Sequence, residues 1–504
     1  MTEPVRPAPT VDVDEASILS DEQVGRRVIT GGAQRAVGFV VANLLTAVSA
    51  VILLRHLGVD AFGRYGTVIA LVNIVYGISD LGLTITGTRE LTLCETEEER
   101  RDLLAHVLAL RIFVSGVGVL GAIAFAFIAG YPSVLIVGTA VAGFGVLLQS
   151  VQAAMVIPLS VQLSNGALAF SQVLQQATLL LGFAVLAAMG AELLSFFAVQ
   201  ILVGLVLLAA TPFLVARKHL VAPRWTATRI RALGRVGVPI AVGAVLGVLY
   251  LRLLVIMMSL LSGEPREIGY FVTSTRVLEL VGGLPFLAVA IVLPVVMVAA
   301  RDDPDRLANM TSRIAQTMII AGVLVALVLW TLSAPIIDVL GGAEYKGAGP
   351  VMEIQGFAAI TIFLTAAWQP ALMGLHRLRA YALAMATGVA GVVIAGFVLI
   401  PAFQAIGAAV SAVVGEVVLC VSMYVAVRRA GPGNWLPVGP ALRIAGAAAV
   451  AVAVGMIPGL PTGLRAVAVL AAFSVGVIAL RAVPGEITEA LRAALPRSSS
   501  GARG

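Results

Sequence analysis

"VILLRHLGVDAFGRYGTVIALVNIVYGISDLGL", Val51 to Leu83, decides the reading of the fold. Two apolar runs flank a short polar link carrying Arg55, His56, Asp60 and Arg64, and Asp80 stands near the far end of the second run. A membrane-crossing helix needs about 20 mostly apolar residues, and both runs reach that length when extended into their neighbours. Charges in the link then mark a turn at the water-facing surface. Asp80 needs a partner or a wet surrounding.

The same alternation fills the chain. Of 504 residues, 60% are hydrophobic and 12% charged, and mean hydropathy is +1.02. Soluble domains are about half apolar and a quarter charged, so the solvent implied here is lipid. Apolar runs cover residues 34–54, 65–86, 105–128, 133–156, 166–189, 193–215, 236–261, 270–299, 314–333, 351–374, 380–400, 404–427, 440–458 and 464–483. Backbone in hydrocarbon must bond to itself, so these runs predict helices. The fold class is an all-α polytopic membrane protein with about fourteen spans.

Basic residues set the orientation. With the N-terminus in the cytoplasm, the inner loops and both tails collect 25 Lys and Arg, the outer loops carry 5, and Arg111, Arg252 and Arg276 lie inside spans. That asymmetry predicts a multi-pass protein of the cytoplasmic membrane with both termini inside. The net charge of +6 is spread over short loops and does not point to nucleic acid. The longest basic stretch, 217–235, divides the chain into a first six-helix unit (34–216) and a second (236–430). Two further helices follow (431–483), between a 1–33 N-terminal tail and a 484–504 C-terminal tail. "LGVDAFGRY" (Leu57 to Tyr65) and "LSGEPREIGYF" (Leu261 to Phe271) echo each other at an offset of about 205 residues. Six helices of offset keep the direction unchanged, which predicts parallel repeats about an axis normal to the membrane. Ser20 and Gln23 have capping-box spacing, and the C-terminal tail reads as a short amphipathic helix.

No chemistry of bond-making is visible. Cys94 and Cys420 fall in a loop and a span, without metal or disulfide spacing. The histidines are scattered, and HExxH, GxSxG and P-loop motifs are missing. The chain is expected to be a non-enzyme without cofactors, drawing on gradients rather than bound ATP.

Charges inside spans cost about 2.5–3.5 kcal/mol each at the bilayer centre, so they should face a cavity or each other. Arg276 and Glu279 are one helical turn apart and can pair, or serve as a cavity cation held until an anion arrives. Arg252 has no partner nearby in sequence, which favours a cavity, with snorkelling as the other reading. Arg111, near the cytoplasmic end of its span, is expected to snorkel. Asp80 can cap its own "DLGL", answer an arginine or bind a coupling cation. Glu416 can be a proton site or the partner of Arg252.

The opening stretch resembles the first two spans of polysaccharide-unit flippases of the multidrug/oligosaccharidyl-lipid/polysaccharide exporter superfamily. "GEPREIGYFVTSTRVLELVGGLPFLAVAIVLPVV" (263–296), "APIIDVLGGAEYKGAG" (334–349) and "VLIPAFQAIGAAVSAVVGE" (398–416) resemble that family in the same order. The resemblance implies two six-helix lobes around a central cavity that opens to each side in turn, plus two C-terminal helices. It implies an oligosaccharide on undecaprenyl diphosphate as substrate, membrane lipid around the tail, and a glycan polymerase or glycosyltransferases as neighbours. In the related lipid II flippases, cavity arginines on spans 1 and 8 are functional, and Arg35 and Arg276 fall on those positions. A further arginine of those flippases, two places after "GF", is Val41 here. An aspartate of many polysaccharide flippases, two places after the arginine of span 7, is Leu254 here. The resemblance thus makes Arg276, Arg252 and Arg35 candidate diphosphate ligands, with Glu279, Asp80 and Glu416 as coupling groups or charge partners. A multidrug or metabolite antiporter of the same superfamily, or a lipid II flippase, is the alternative.

Overall fold

A computed structural model describes residues 22–483, apart from 81, 163, 217, 218 and 432. The expected cap at Ser20 and the C-terminal amphipathic helix lie outside the described residues. Fifteen α-helices follow one another among the described residues: α1 (Glu22–Asp80), α2 (Leu83–Leu93), α3 (Glu97–Ile128), α4 (Ser133–Met155), α5 (Ile157–Val161), α6 (Asn165–Ala188), α7 (Leu193–Leu214), α8 (Ala227–Leu261), α9 (Pro265–Asp302), α10 (Pro304–Gly341), α11 (Ala348–Gly356), α12 (Ala358–Gly374), α13 (Leu378–Ala430), α14 (Val438–Gly455) and α15 (Thr462–Ala479). Among the described residues, eleven helical stretches are long and apolar enough to cross a membrane. Helix α8 begins inside the 217–235 stretch, so the second part of that basic link is the first part of a helix whose Val245–Leu261 part is apolar.

The polar link is not a loop: residues on both sides of Gly58 are helical, and Gly58 alone breaks α1 with φ 72° and ψ 170°. Glycine takes that left-handed φ without Cβ strain. A straight 59-residue helix would run about 90 Å, some three times the hydrocarbon thickness, so the break converts one helix into two crossings. The neighbours of α1 fix the geometry. Gly63 and Gly66 lie against Pro265 and Val272 at the start of α9, whereas Phe39 and Asn43 lie against Gly283, deeper along α9. The chain therefore comes up to Gly58 and goes back down. The end of the molecule with Gly58 is called outer here, after the arginine count.

A second hairpin is built alike. Helix α13, 53 residues long, is broken at Gln404 (φ 50°, ψ −122°). Its halves pack on each other, with Gly388 against Leu419 and Gly391 against Val418. Each break is held by a carboxylate from elsewhere. Glu344 Oε1 accepts the Val59 N–H at 3.3 Å, and Glu267 Oε2 accepts the Ala405 N–H at 3.1 Å.

The two halves meet at the outer end in a reciprocal contact. A Cβ on Gly63 would stand 1.9 Å from the Pro265 carbonyl oxygen, and one on Gly269 would stand 2.3 Å from the Val59 carbonyl oxygen. Gly63 and Gly269, like Val59 and Pro265, are 206 positions apart. That is the near-205 echo of the sequence turned into a pseudo-two-fold interlock. Around it, Arg55 Nη2 donates to the Val339 carbonyl at 2.8 Å and Tyr345 Oη donates to the Leu54 carbonyl at 3.1 Å. Arg55 thus grips the end of α10. The main apolar core spans both halves here, joining Leu54, Phe62, Tyr65, Phe196 and Phe197 to Met258, Phe271 and Tyr345. Helices α14 and α15 attach to α10, through Val469, Phe473 and Ile444 against Ile319, Val323 and Leu327.

Candidate functional site

Three of the candidate residues come together on two neighbouring helices. Arg252 lies nine residues before the outer end of α8, and Arg276 eleven residues after the outer start of α9. At about 1.5 Å per residue both sit some 14–17 Å down, near the middle of a 30 Å core. Arg252 Nη1 donates to Glu279 Oε1 at 2.7 Å, and Arg276 Nη1 donates to Glu279 Oε2 at 3.4 Å. The side chains are half-buried, at 20%, 26% and 24% exposure for Arg252, Arg276 and Glu279. One carboxylate shared by two guanidiniums leaves a net positive charge at mid-depth. The i,i+3 spacing on α9 makes the Arg276 pair local, and the helix crossing supplies Arg252.

Glu416 is not the partner of Arg252, as one reading of the sequence had it. It is buried beside Tyr250, and its Oε2 has no hydrogen-bond partner among the described residues. Glu279 reaches Arg252 first because α9 follows α8 directly, while Glu416 lies on the far half of α13. Arg35 stands apart as well. It is exposed, one turn before Phe39, which touches Gly283. Counted along α9 and then α1, that is about 16 Å inward from Arg276.

Asp80 answers an arginine. Its Oδ1 accepts Arg111 Nη2 at 2.6 Å, and Thr84 Oγ1 lies 2.5 Å from Asp80 and 3.3 Å from Arg111 Nη1. Arg111 is only 2% exposed, so it does not snorkel. A carboxylate and a hydroxyl from the preceding hairpin stabilise a buried charge that the helix alone could not hold. Breaking such a pair from one side strands the other charge, at about 3–5 kcal/mol. Arg111→Met is therefore expected to lower the melting temperature of the purified protein markedly, and Asp80→Asn added to it to recover most of the loss. Equal melting of Arg111→Met and the parent would contradict a structural pair.

The first half also holds a neutral polar array, which a reading of charges alone does not reveal. Gln175 Nε2 donates to Gln149 Oε1 at 3.2 Å, and Gln149 Nε2 donates to Gln200 Oε1 at 3.1 Å. The three amides come from α6, α4 and α7. Tyr65 lies near both Gln200 and Arg276. The signal was present as "SQVLQQ" (Ser171 to Gln176), a polar face within an apolar span.

A protein-family model described as polysaccharide biosynthesis protein matches residues 52–350. No curated protein matches the chain. Among solved structures, the lipid II flippase MurJ in an inward closed conformation superposes with a TM-score of 0.72 at 11% identity, over 91% of this chain and 99% of that one. A multidrug resistance MATE family transporter of the MOP superfamily superposes in its inward-facing conformation with a TM-score of 0.62 at 11% identity, over 79% and 98%. In an outward-facing conformation the values are 0.55, 12%, 80% and 95%. At such identities the likeness is one of fold, and the fold is that of polytopic helical membrane transporters.

Proposed function

Because this chain belongs to the polysaccharide biosynthesis protein family, we propose that it is a flippase carrying an undecaprenyl-diphosphate-linked oligosaccharide precursor across the cytoplasmic membrane by alternating access. The observation that carries this reading is the pair of guanidiniums sharing one carboxylate at mid-depth. A diphosphate offers several anionic oxygens, and planar guanidiniums take them as charge-assisted, bidentate hydrogen bonds. Glu279 holds both arginines in place until the diphosphate arrives. It then competes for them, which lets the substrate leave again. The lipid tail stays in the bilayer while the headgroup passes.

Arg35 receives the diphosphate at the inner mouth in this scheme. The Asp80–Arg111 pair braces the first half and takes no part in binding. Glu416, buried where α8 meets α13, is the group through which a proton couples to movement of the second half. A cationic drug would meet two arginines against one carboxylate, which disfavours an antiporter of cations. Val41 in place of an arginine turns the substrate away from lipid II.

Deletion of the gene, followed by mass analysis of lipid-linked intermediates, tests the reading. The expected outcome is accumulation of the finished carrier-linked glycan, cleared by the wild-type gene and cleared slowly and independently of an imposed pH gradient by Glu416→Gln. A deletion strain with an unchanged pool of such intermediates would refute the function. Full, pH-dependent clearance by Glu416→Gln would refute the coupling role alone.

A further inference from the structure

We propose that the groove between the two halves of α13 at their inner ends is a binding site for one anionic phospholipid. A cavity of about 320 Å³ lies there, lined by Arg377 and Arg429 at its rim, by Thr387 and Ser422 deeper in, and by Leu383 and Val421 along its side. None of its lining residues lies on α8 or α9, which carry Arg252 and Arg276.

Three features point to the ligand. First, the charge is unbalanced. No lining residue is acidic, and neither guanidinium has an ion pair or hydrogen bond among the described residues. Two further cavities at this end are self-neutralised. Asp102 faces Arg224 and Arg229 in one, and Asp303 and Asp305 stand with Arg306 and Arg313 in the other. Second, the wall is made for an acyl chain. Leu383 and Val421 are 68% and 56% exposed on a surface that would face lipid. Third, on this same exposed face the single Thr387 proton is shared between the Ala384 carbonyl at 2.7 Å and Ser422 Oγ at 2.8 Å, which leaves the Ser422 proton for a further acceptor. Ser422 lies seven residues before Arg429 along the helix, about 10 Å further into the membrane. Hydroxyls exposed to hydrocarbon are costly unless they find partners. The glycerol ester carbonyls below a phosphate are such partners, as acceptors. Basic pockets between transmembrane helices on the cytoplasmic side are the recognised setting for anionic headgroups. The ligand class is therefore a phospholipid with a net negative head, held by phosphate at the arginines and by an ester carbonyl at the Ser422 hydroxyl.

Native mass spectrometry of the full chain in detergent, titrated with phosphatidylglycerol or with zwitterionic phosphatidylethanolamine, tests this. Wild type is expected to retain one phosphatidylglycerol more tightly than the rest. Arg377→Gln with Arg429→Gln should bind that lipid about 30-fold more weakly, at about 1 kcal/mol per arginine, with phosphatidylethanolamine binding unchanged. Arg379→Gln with Arg428→Gln removes equal charge nearby and should leave the tight lipid in place. Ala380→Trp keeps both arginines, fills the groove and should also release the lipid. Equal phosphatidylglycerol binding by wild type and the Arg377/Arg429 double variant overturns the proposal. So does equal weakening in the Arg379/Arg428 control, which would reduce the effect to diffuse surface charge, or full binding by Ala380→Trp.

Discussion

Arg252→Gln combined with Arg276→Gln is expected to abolish precursor export while leaving the protein at normal levels in the membrane. Glutamine still donates a hydrogen bond to Glu279, so the carboxylate is not stranded and the helices keep their contact. The proposed anion site, however, loses both of its cations. Hydrogen bonds to charged partners contribute about 1.5–3 kcal/mol each. Loss of two corresponds to roughly a hundred- to ten-thousand-fold weaker capture of a diphosphate. Each single variant leaves one arginine balanced by Glu279 and removes the net positive charge, so each should be severely impaired too. Arg276→Lys keeps charge without the planar fork and should fall between. Glu279→Gln should move the other way at first, capturing the carrier more tightly and releasing it more slowly. Complementation of the deletion, with lipid-linked intermediates quantified alongside protein level, reads every one of these variants. Normal clearance by the double variant at normal abundance would remove these arginines from the mechanism.

Gly63→Leu is the second large effect expected. The Cβ position of Gly63 already stands 1.9 Å from the Pro265 carbonyl oxygen and 2.8 Å from the Gly269 nitrogen. The obstacle is backbone on a neighbouring helix and cannot rotate away. Overpacking commonly costs about 1–3 kcal/mol even where side chains give, and here the helices themselves must separate. The outer interlock would open, taking with it the capture of Val59 by Glu344. Thr67, one turn below and 1% exposed, reports the change. With Thr67→Cys as a probe, the wild-type background should resist a membrane-impermeant maleimide, and Gly63→Leu should expose the introduced thiol. Gly269→Leu should do the same by the reciprocal contact. Gly121→Leu, with open space around its Cβ position, serves as the tolerated control. Continued protection of the Thr67→Cys probe in the Gly63→Leu background would show that the seal lies elsewhere.

Hydropathy made the helical membrane fold legible, because lipid allows so few alternatives. The hairpins were legible as pairs of runs but not as nearly continuous helix. A single residue at Gly58 or Gln404 does the turning, and nothing in composition separates that from a short loop. The Arg276–Glu279 pair was readable because helical spacing is local. Arg252 was not, since its partner lies 27 positions on across a helix crossing that sequence does not encode. Arg111 misled for the same reason: its depth in the span suggested snorkelling, but Asp80 and Thr84 arrive from other helices. The amides Gln149, Gln175 and Gln200 were overlooked because neutral side chains inside spans carry a weaker cost signal than charges. The repeat was visible as a faint motif echo, and its reason emerged only as two glycines each making room for the other's helix.

The carboxylate that holds the turn at Gly58 has a bearing on biosynthesis. Val59 and Glu344 are separated by 285 positions, and the Leu54 carbonyl waits equally long for Tyr345. While the ribosome is still producing the intervening helices, the first hairpin sits in the bilayer without these two contacts. Its tip becomes a finished surface only when the later segment emerges and docks. A nascent chain truncated before residue 344 would therefore leave a complete set of early crossings whose outer cap had never been closed.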